Sequence, residues 1–220
     1  SQERLRALNR ETAAAVVTQL LDELRTGYRD CPAALAHIEV LQEALIDHAT
    51  DFLPQGENSV QALFGHTGLP LPGQRFRINV LVSHAGTEGA PLIFEALPHH
   101  ANLVGRVEHQ AHLGTLITDF GMIRPGALHR ANGGYLVLDA LKLLTQPFAW
   151  ETLKRALRAG AIAIEPLERT LSLISTSPLE PEPIPLRLKV ILCGDRLLYY
   201  LLSLHDPEFQ ALVKGRADFE

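Results

Sequence analysis

Cysteine, methionine and tryptophan are scarce in this 220-residue sequence, which has two, one and one of them. Cys31 lies in a turn-like Asp-Cys-Pro and Cys193 closes an apolar run. The pair makes no disulfide framework, and a reducing cytosol is the expected setting. No apolar run approaches the roughly 20 residues that span a bilayer, and no apolar segment resembling a signal peptide follows Ser1-Gln2-Glu3-Arg4. There is no excess of positive charge: the formal net charge is -5, so bulk electrostatics draws the chain to neither nucleic acid nor an anionic membrane, and neither is an expected partner.

Catalytic signatures are missing too. The sequence has no Gly-x-x-x-x-Gly-Lys-Ser/Thr phosphate loop, because neither Gly86 to Gly89 nor Gly133-Gly134 is followed by Lys and a hydroxyl. It has no Gly-x-Ser-x-Gly elbow or Ser, His and Asp set, and Lys142, Lys154, Lys189 and Lys214 lie outside any Ser-Lys protease pattern. With no initiator Met, the chain reads as a piece of a longer protein.

What is present is ordinary globular material, 46% hydrophobic and 20% charged, enough for one or two domains. Leu5, Leu8, Ala13, Val16, Leu20, Leu24 and Tyr28 keep the spacing of an amphipathic helix. Asp30-Cys31-Pro32 interrupts it, and Leu35, Ile38, Leu41, Leu45, Ala49 and Phe52 resume it. Residues 1–54 are therefore expected to form an antiparallel helical hairpin, either a packing arm or a binding surface. Residues 55–73 form a Pro- and Gly-rich linker in which Val60, Leu63 and Phe64 suggest a short helical turn.

Residues 74–220 read as alternating strands and helices, an α/β unit. Arg75 to Val82 alternates like a half-buried strand, with Leu92 to Glu95 as its partner across the Gly86 to Gly89 turn. Tyr135 to Leu138 and Leu188 to Cys193 are short apolar runs, as expected for strands buried on both faces of a parallel sheet. A helix opens near Gln146-Pro147 and stops at Gly160, followed by a β-hairpin from Ala161 to Glu165 and Leu171 to Ser175. Glu180-Pro181-Glu182-Pro183-Ile184-Pro185 then returns, extended, to the Leu188 strand.

Chemistry concentrates at two strand ends. Asp139 ends the Gly133-Gly134-Tyr135-Leu136-Val137-Leu138-Asp139 run, and Asp195 follows the Leu188 strand in Cys193-Gly194-Asp195. Acids at the C-terminal edge of a parallel sheet occupy the place where open α/β folds bind ligands, and in nucleotide hydrolases they hold Mg²⁺ directly or through water. Each could equally cap the helix that follows it. Nucleotide hydrolases usually carry a second carboxylate directly after the first; here that position is Ala140. His99-His100 and the pair His109 and His112, placed on a helix, match no strong zinc pattern, and no metal centre is expected from them.

Asn102 to His109, Pro125 to Asp139 and Glu180 to Asp195 together resemble the Lon-like ATP-dependent proteases, in the bacterial branch whose AAA+ module carries a long helical insertion. The resemblance covers nearly the whole chain. It implies a partial AAA+ P-loop-type parallel sheet with flanking helices and a β-hairpin insertion, preceded by the helical hairpin. Asp139 would be the Walker B acid, Asp195 would stand at the sensor-1 position, and the hairpin from Ile162 to Ile174 would precede sensor 1. Phe120 or Met122 would serve as a pore loop and Arg216 as an arginine finger. ATP and Mg would be the parent's cofactors, unfolded proteins its substrates, and a homo-oligomeric ring, a hexamer, its assembly. The proteolytic serine and lysine and the phosphate loop would lie outside this chain, so no catalytic residue is expected in it. With Ala140 beside Asp139, the alternative is an ATPase-inactive structural or substrate-recognition platform of such a protease.

Overall fold

The computed structural model describes residues 2–52, 73–112, 115–165 and 179–218. It divides into two compact units, Ser1–Ile78 and Asn79–Glu220. The expected turn at Val60 to Phe64 and the second hairpin arm at Leu171 to Ser175 lie outside the described residues.

The first unit is a helical hairpin, α1 (Gln2–Gly27) and α2 (Pro32–Asp47), with Pro32 opening α2 where its missing N–H costs nothing. Leu21 and Ile38 are buried between the helices. Polar side chains complete the seam: Arg25 reaches Asp22, Glu39 and Gln42, and Gln42 Nε2 donates to Thr18 Oγ1 at 3.0 Å. The helical spacing through Ala49 and Phe52 predicts a longer α2. Instead the helix ends at Asp47, and Ala49–Phe52 tightens into a 3₁₀ turn whose Phe52 ring stacks on Phe76.

The second unit is built on a parallel three-stranded sheet in the order β1 (Leu92–Glu95), β6 (Tyr135–Asp139), β9 (Lys189–Cys193). Alternation along β6 sends Leu136 and Leu138 to one face. There they meet α3 (His100–Val104), α4 (Ala127–Arg130), α5 (Ala140–Thr145) and α6 (Ala149–Ala159), which supply Leu103, Leu128, Leu143 and Leu153 to a single core. The chain then continues through β7 (Ala161–Ile162) and β8 (Ile184–Pro185), and after β9 through α7 (Arg196–His205) and α8 (Phe209–Leu212). Gly134 is obligatory where β6 begins, because a Cβ there would fall 2.0 Å from the Pro91 carbonyl oxygen. Gly126 is equally constrained, with a Cβ position 2.2 Å from Leu103 O.

Several local expectations are corrected. Arg75 to Val82 forms no strand: Gln74–Phe76 is a 3₁₀ turn and the rest is irregular, with Ile78 and Val80 exposed. A strand exists only with a ladder partner. Leu92 to Glu95, the expected neighbour, pairs instead with β6, parallel and in the register Leu92 to Tyr135. His109 and His112 do not share a helix, because Gln110–His112 is strand β3, antiparallel to β4 (Thr115–Ile117). Beside them β2 (Arg106–Val107) pairs with β5 (Ile123–Arg124). The helix expected from Pro147 begins two residues later, because Phe148 takes a left-handed φ of 62° as its N-cap; Gly160 ends it as expected. Of the predicted hairpin, only the first arm falls among the described residues, where β7 pairs with β8.

Candidate functional site

The two acids lie at one sheet edge, Asp139 closing one strand and Asp195 just beyond the end of its neighbour. Asp139 closes β6 directly opposite Cys193, the last residue of β9, and Asp195 follows two residues later. Alternation places Asp139 on the face of Tyr135 and Val137, opposite the core. Both acids are also helix N-caps. Asp139 Oδ1 accepts from the Lys142 N–H at 2.9 Å, and Asp195 Oδ1 accepts from the Leu197 N–H at 2.7 Å. Each therefore spends one oxygen on its helix, while Oδ2 has no partner among the described residues.

Ala140 is buried at the start of α5 and packs towards Gly194, whose Cβ, if it had one, would lie 3.0 Å from that of Ala140. The position after Asp139 is thus part of the packing between β6 and β9, with no carboxylate.

Phe120 and Met122 occupy a 3₁₀ turn (Phe120–Met122) that is half-buried at both positions. The turn is firmly held. Asp119 caps it through Gly121 N at 2.7 Å, Arg124 Nη1 donates to Gly121 O at 2.9 Å, and Asn79 Nδ2 donates to Phe120 O and Ile123 O. Nearby, Glu108 accepts from Arg106 at 2.7 Å and from Arg124 at 2.9 Å, and the Arg106 bond leads in holding its carboxyl below the usual range.

Arg216 is engaged within its own chain. Its guanidinium lies 5.0 Å from the Tyr199 ring centroid and 5.8 Å from that of Tyr200, and Nη2 donates to Asp218 at 2.8 Å. The Tyr200 hydroxyl and the Asp218 carboxylate raise its pKa further.

Two groups that composition and spacing leave unmarked turn out to organise this unit. Lys154 on α6, 4% exposed, meets Glu151, Asp206 and Glu208 at 2.8, 2.9 and 3.2 Å, and the Trp150 indole N–H donates to the same Asp206 Oδ2. Burial alone lowers the pKa of Lys154, but the three carboxylates outweigh it and the net shift is upward. His129 on α4, 5% exposed, accepts the Gly126 N–H on Nδ1 at 3.2 Å, and burial brings its pKa from 6.5 to about 4. A basic residue on an apolar helix face and a His inside a Gly-to-Gly run are the only sequence signals of either.

The remaining histidines of interest are structural. His99 caps α3 through Asn102 N. His100 bridges Glu165 O at 2.9 Å and the Thr152 hydroxyl at 2.8 Å, with Nε2–H donating to the carbonyl.

A parallel sheet with helices on its core face and carboxylates at its C-terminal edge is an open α/β module, in which that edge is where ligands bind. The family model for the LonB-like AAA domain matches residues 88–220, and the chain belongs to that family. It is also 35% identical over 74 residues to the "Putative Lon protease homolog" of Escherichia coli (strain K12). That stretch covers 34% of this chain and 12% of the relative, so most of the relative's length lies beyond the similarity. No helix among the described residues is long and apolar enough to cross a membrane.

Proposed function

We propose that this chain contributes one half of the nucleotide site in the AAA+ module of a Lon-like ATP-dependent protease, whose ring, a hexamer, unfolds and translocates cytoplasmic protein substrates for degradation. The observation that carries this reading is the placement of Asp139 and Asp195 at the C-terminal ends of neighbouring strands of a LonB-like AAA domain, each with one carboxylate oxygen that has no partner among the described residues. One or two carboxylate oxygens suit Mg²⁺, which keeps most of its water and takes its other ligands from substrate phosphates. Bound Mg²⁺ would neutralise charge developing on ATP's terminal phosphates. Asp139 would hold the ion as the Walker B acid, and Asp195, at the sensor-1 position, would orient water beside it.

The phosphate cradle is absent from the sequence. Calorimetry of the 220-residue chain with Mg-ATP should therefore detect no micromolar binding, and ATP hydrolysis and casein cleavage should be nil. Micromolar binding would overturn the placement of the cradle elsewhere in the parent.

In the full-length protein, Asp139→Asn tests the acid itself. Asn caps a helix as well as Asp does, so the fold is kept while the charge is lost. ATP-dependent degradation should fall by about tenfold or more, the loss expected when a charge-stabilising group is removed.

The buried Ala140 favours a second reading, an ATPase-inactive platform that recognises or supports substrate. An unchanged degradation rate in Asp139→Asn would select it. For a ring motor, Arg216 would reach a neighbouring subunit's nucleotide only after leaving Tyr199, Tyr200 and Asp218, and Phe120 and Met122 would face substrate from a turn already rigid.

A further inference from the structure

At the opposite edge of the sheet, about 13 Å from Asp139 at the rise of a strand, lies a shallow open pocket of about 370 Å³. It is lined by Ala90, Gly133, Gly134, Tyr135, Leu188 and two cations, Arg187 and Lys189. Neither cation has a carboxylate partner among the described residues. Lys189 lies over the Tyr135 ring, 5.9 Å from its centroid.

The backbone that carries them is rigid. Asn132 bonds Pro185 O and the Arg187 N–H at 2.8 Å each, and Gly133 N donates to Arg187 O at 2.7 Å. The two cations thus stand exposed on a fixed base, neither held by a carboxylate among the described residues, in a chain whose net charge is -5.

We propose that Arg187, Lys189 and Tyr135 form a docking site for a carboxylate-rich polypeptide segment. Charge complementarity requires an anion. The backbone argues against a phosphate: the N–H groups of Gly133, Gly134, Tyr135 and Lys189 are all spent on carbonyls, so the floor offers no amide nest of the kind that cradles phosphate. Recognition falls to side chains. A guanidinium pairs a carboxylate bidentately, an ammonium adds a point charge, and the Tyr135 ring offers apolar surface to the peptide beside the acid. The site is independent of nucleotide and stands or falls apart from the role of Asp139.

The test is fluorescence anisotropy on the 220-residue chain with a fluorescein-labelled Glu- and Asp-rich decapeptide containing one Leu, and with its Gln and Asn counterpart. The acidic peptide should bind and weaken as salt rises, while the neutral one should not. Arg187→Glu with Lys189→Glu should weaken binding by about tenfold or more, whereas Arg187→Lys with Lys189→Arg keeps it within about threefold. Thermal melts should change little, since Arg187 has no carboxylate partner to lose and Lys189 gives up only an exposed contact with the Tyr135 ring. If the double variant fails to melt cooperatively, Arg187→Gln alone decides: a loss of about threefold or more supports the site and no loss overturns it. Equal binding by the charge-reversed chain, equal binding of the neutral peptide, or displacement by equimolar inorganic phosphate overturns the proposal.

Discussion

His129 carries a pH dependence whose sign follows from its burial. Its folded pKa of about 4 lies below its ordinary 6.5, so the neutral form is favoured in the native state. The associated stability is complete above pH 6.5 and is lost as pH falls towards 4. Denaturant unfolding across that window should show a loss of up to ~3 kcal/mol, and His129→Leu should flatten the slope. Asp206 acts in a separate window, since its lowered pKa removes stability only as pH falls below its ordinary 3.8. Lys154→Met leaves the partly buried Asp206 with only the Trp150 and Glu208 N–H donors and should cost about 1–3 kcal/mol, read as a shift in denaturant midpoint. Gly134→Ala drives a methyl into the Pro91 carbonyl and should cost roughly 3 kcal/mol. His129, Lys154 and Asp206 are inconspicuous in sequence, because burial and partner geometry give each its effect.

Among the elements, those whose pattern is local are the ones legible beforehand. Pro32 and the three-to-four spacing specify the hairpin of α1 and α2, and the apolar run ending in Asp139 specifies β6. Asp139 and Asp195 are both read as strand-end acids or as helix caps, and in the structure they are at once strand-end acids and caps. Pairing is the weak point. The Arg75 to Val82 alternation looks like a strand, yet Asn79 donates its side-chain amide to the 3₁₀ turn in place of any ladder contact. Asn79→Ala removes both bonds and should destabilise the unit by about 1–2 kcal/mol, with faster amide exchange at Gly121 and Met122.

On the scale of the second unit, the described helices cover the core face of the sheet, and its other face carries exposed apolar side chains. Leu92 and Phe94 on β1 are 68% and 63% exposed, and Tyr135 and Ile191 continue the apolar surface across β6 and β9. Contiguous apolar surface of this kind takes up hydrophobic dyes. The 220-residue chain should therefore enhance anilinonaphthalene fluorescence at neutral pH. Leu92→Ser with Phe94→Ser should reduce that signal while changing stability by no more than ~1 kcal/mol, because side chains this exposed contribute little to the core.

By itself the sequence determined what is encoded over a few residues: helical spacing, the proline and glycine stops, the acid-tipped strands, and the motifs shared with Lon-like AAA domains. Tertiary structure alone decided which strands pair, that Gln110–His112 is a strand, how deeply Lys154 and His129 are buried, and that Arg187 and Lys189 flank one pocket. The reason is physical. A helix satisfies its own backbone within four residues, whereas a ladder, a buried ion cluster or a pocket joins segments tens of residues apart, and each exists only once the chain between them has folded.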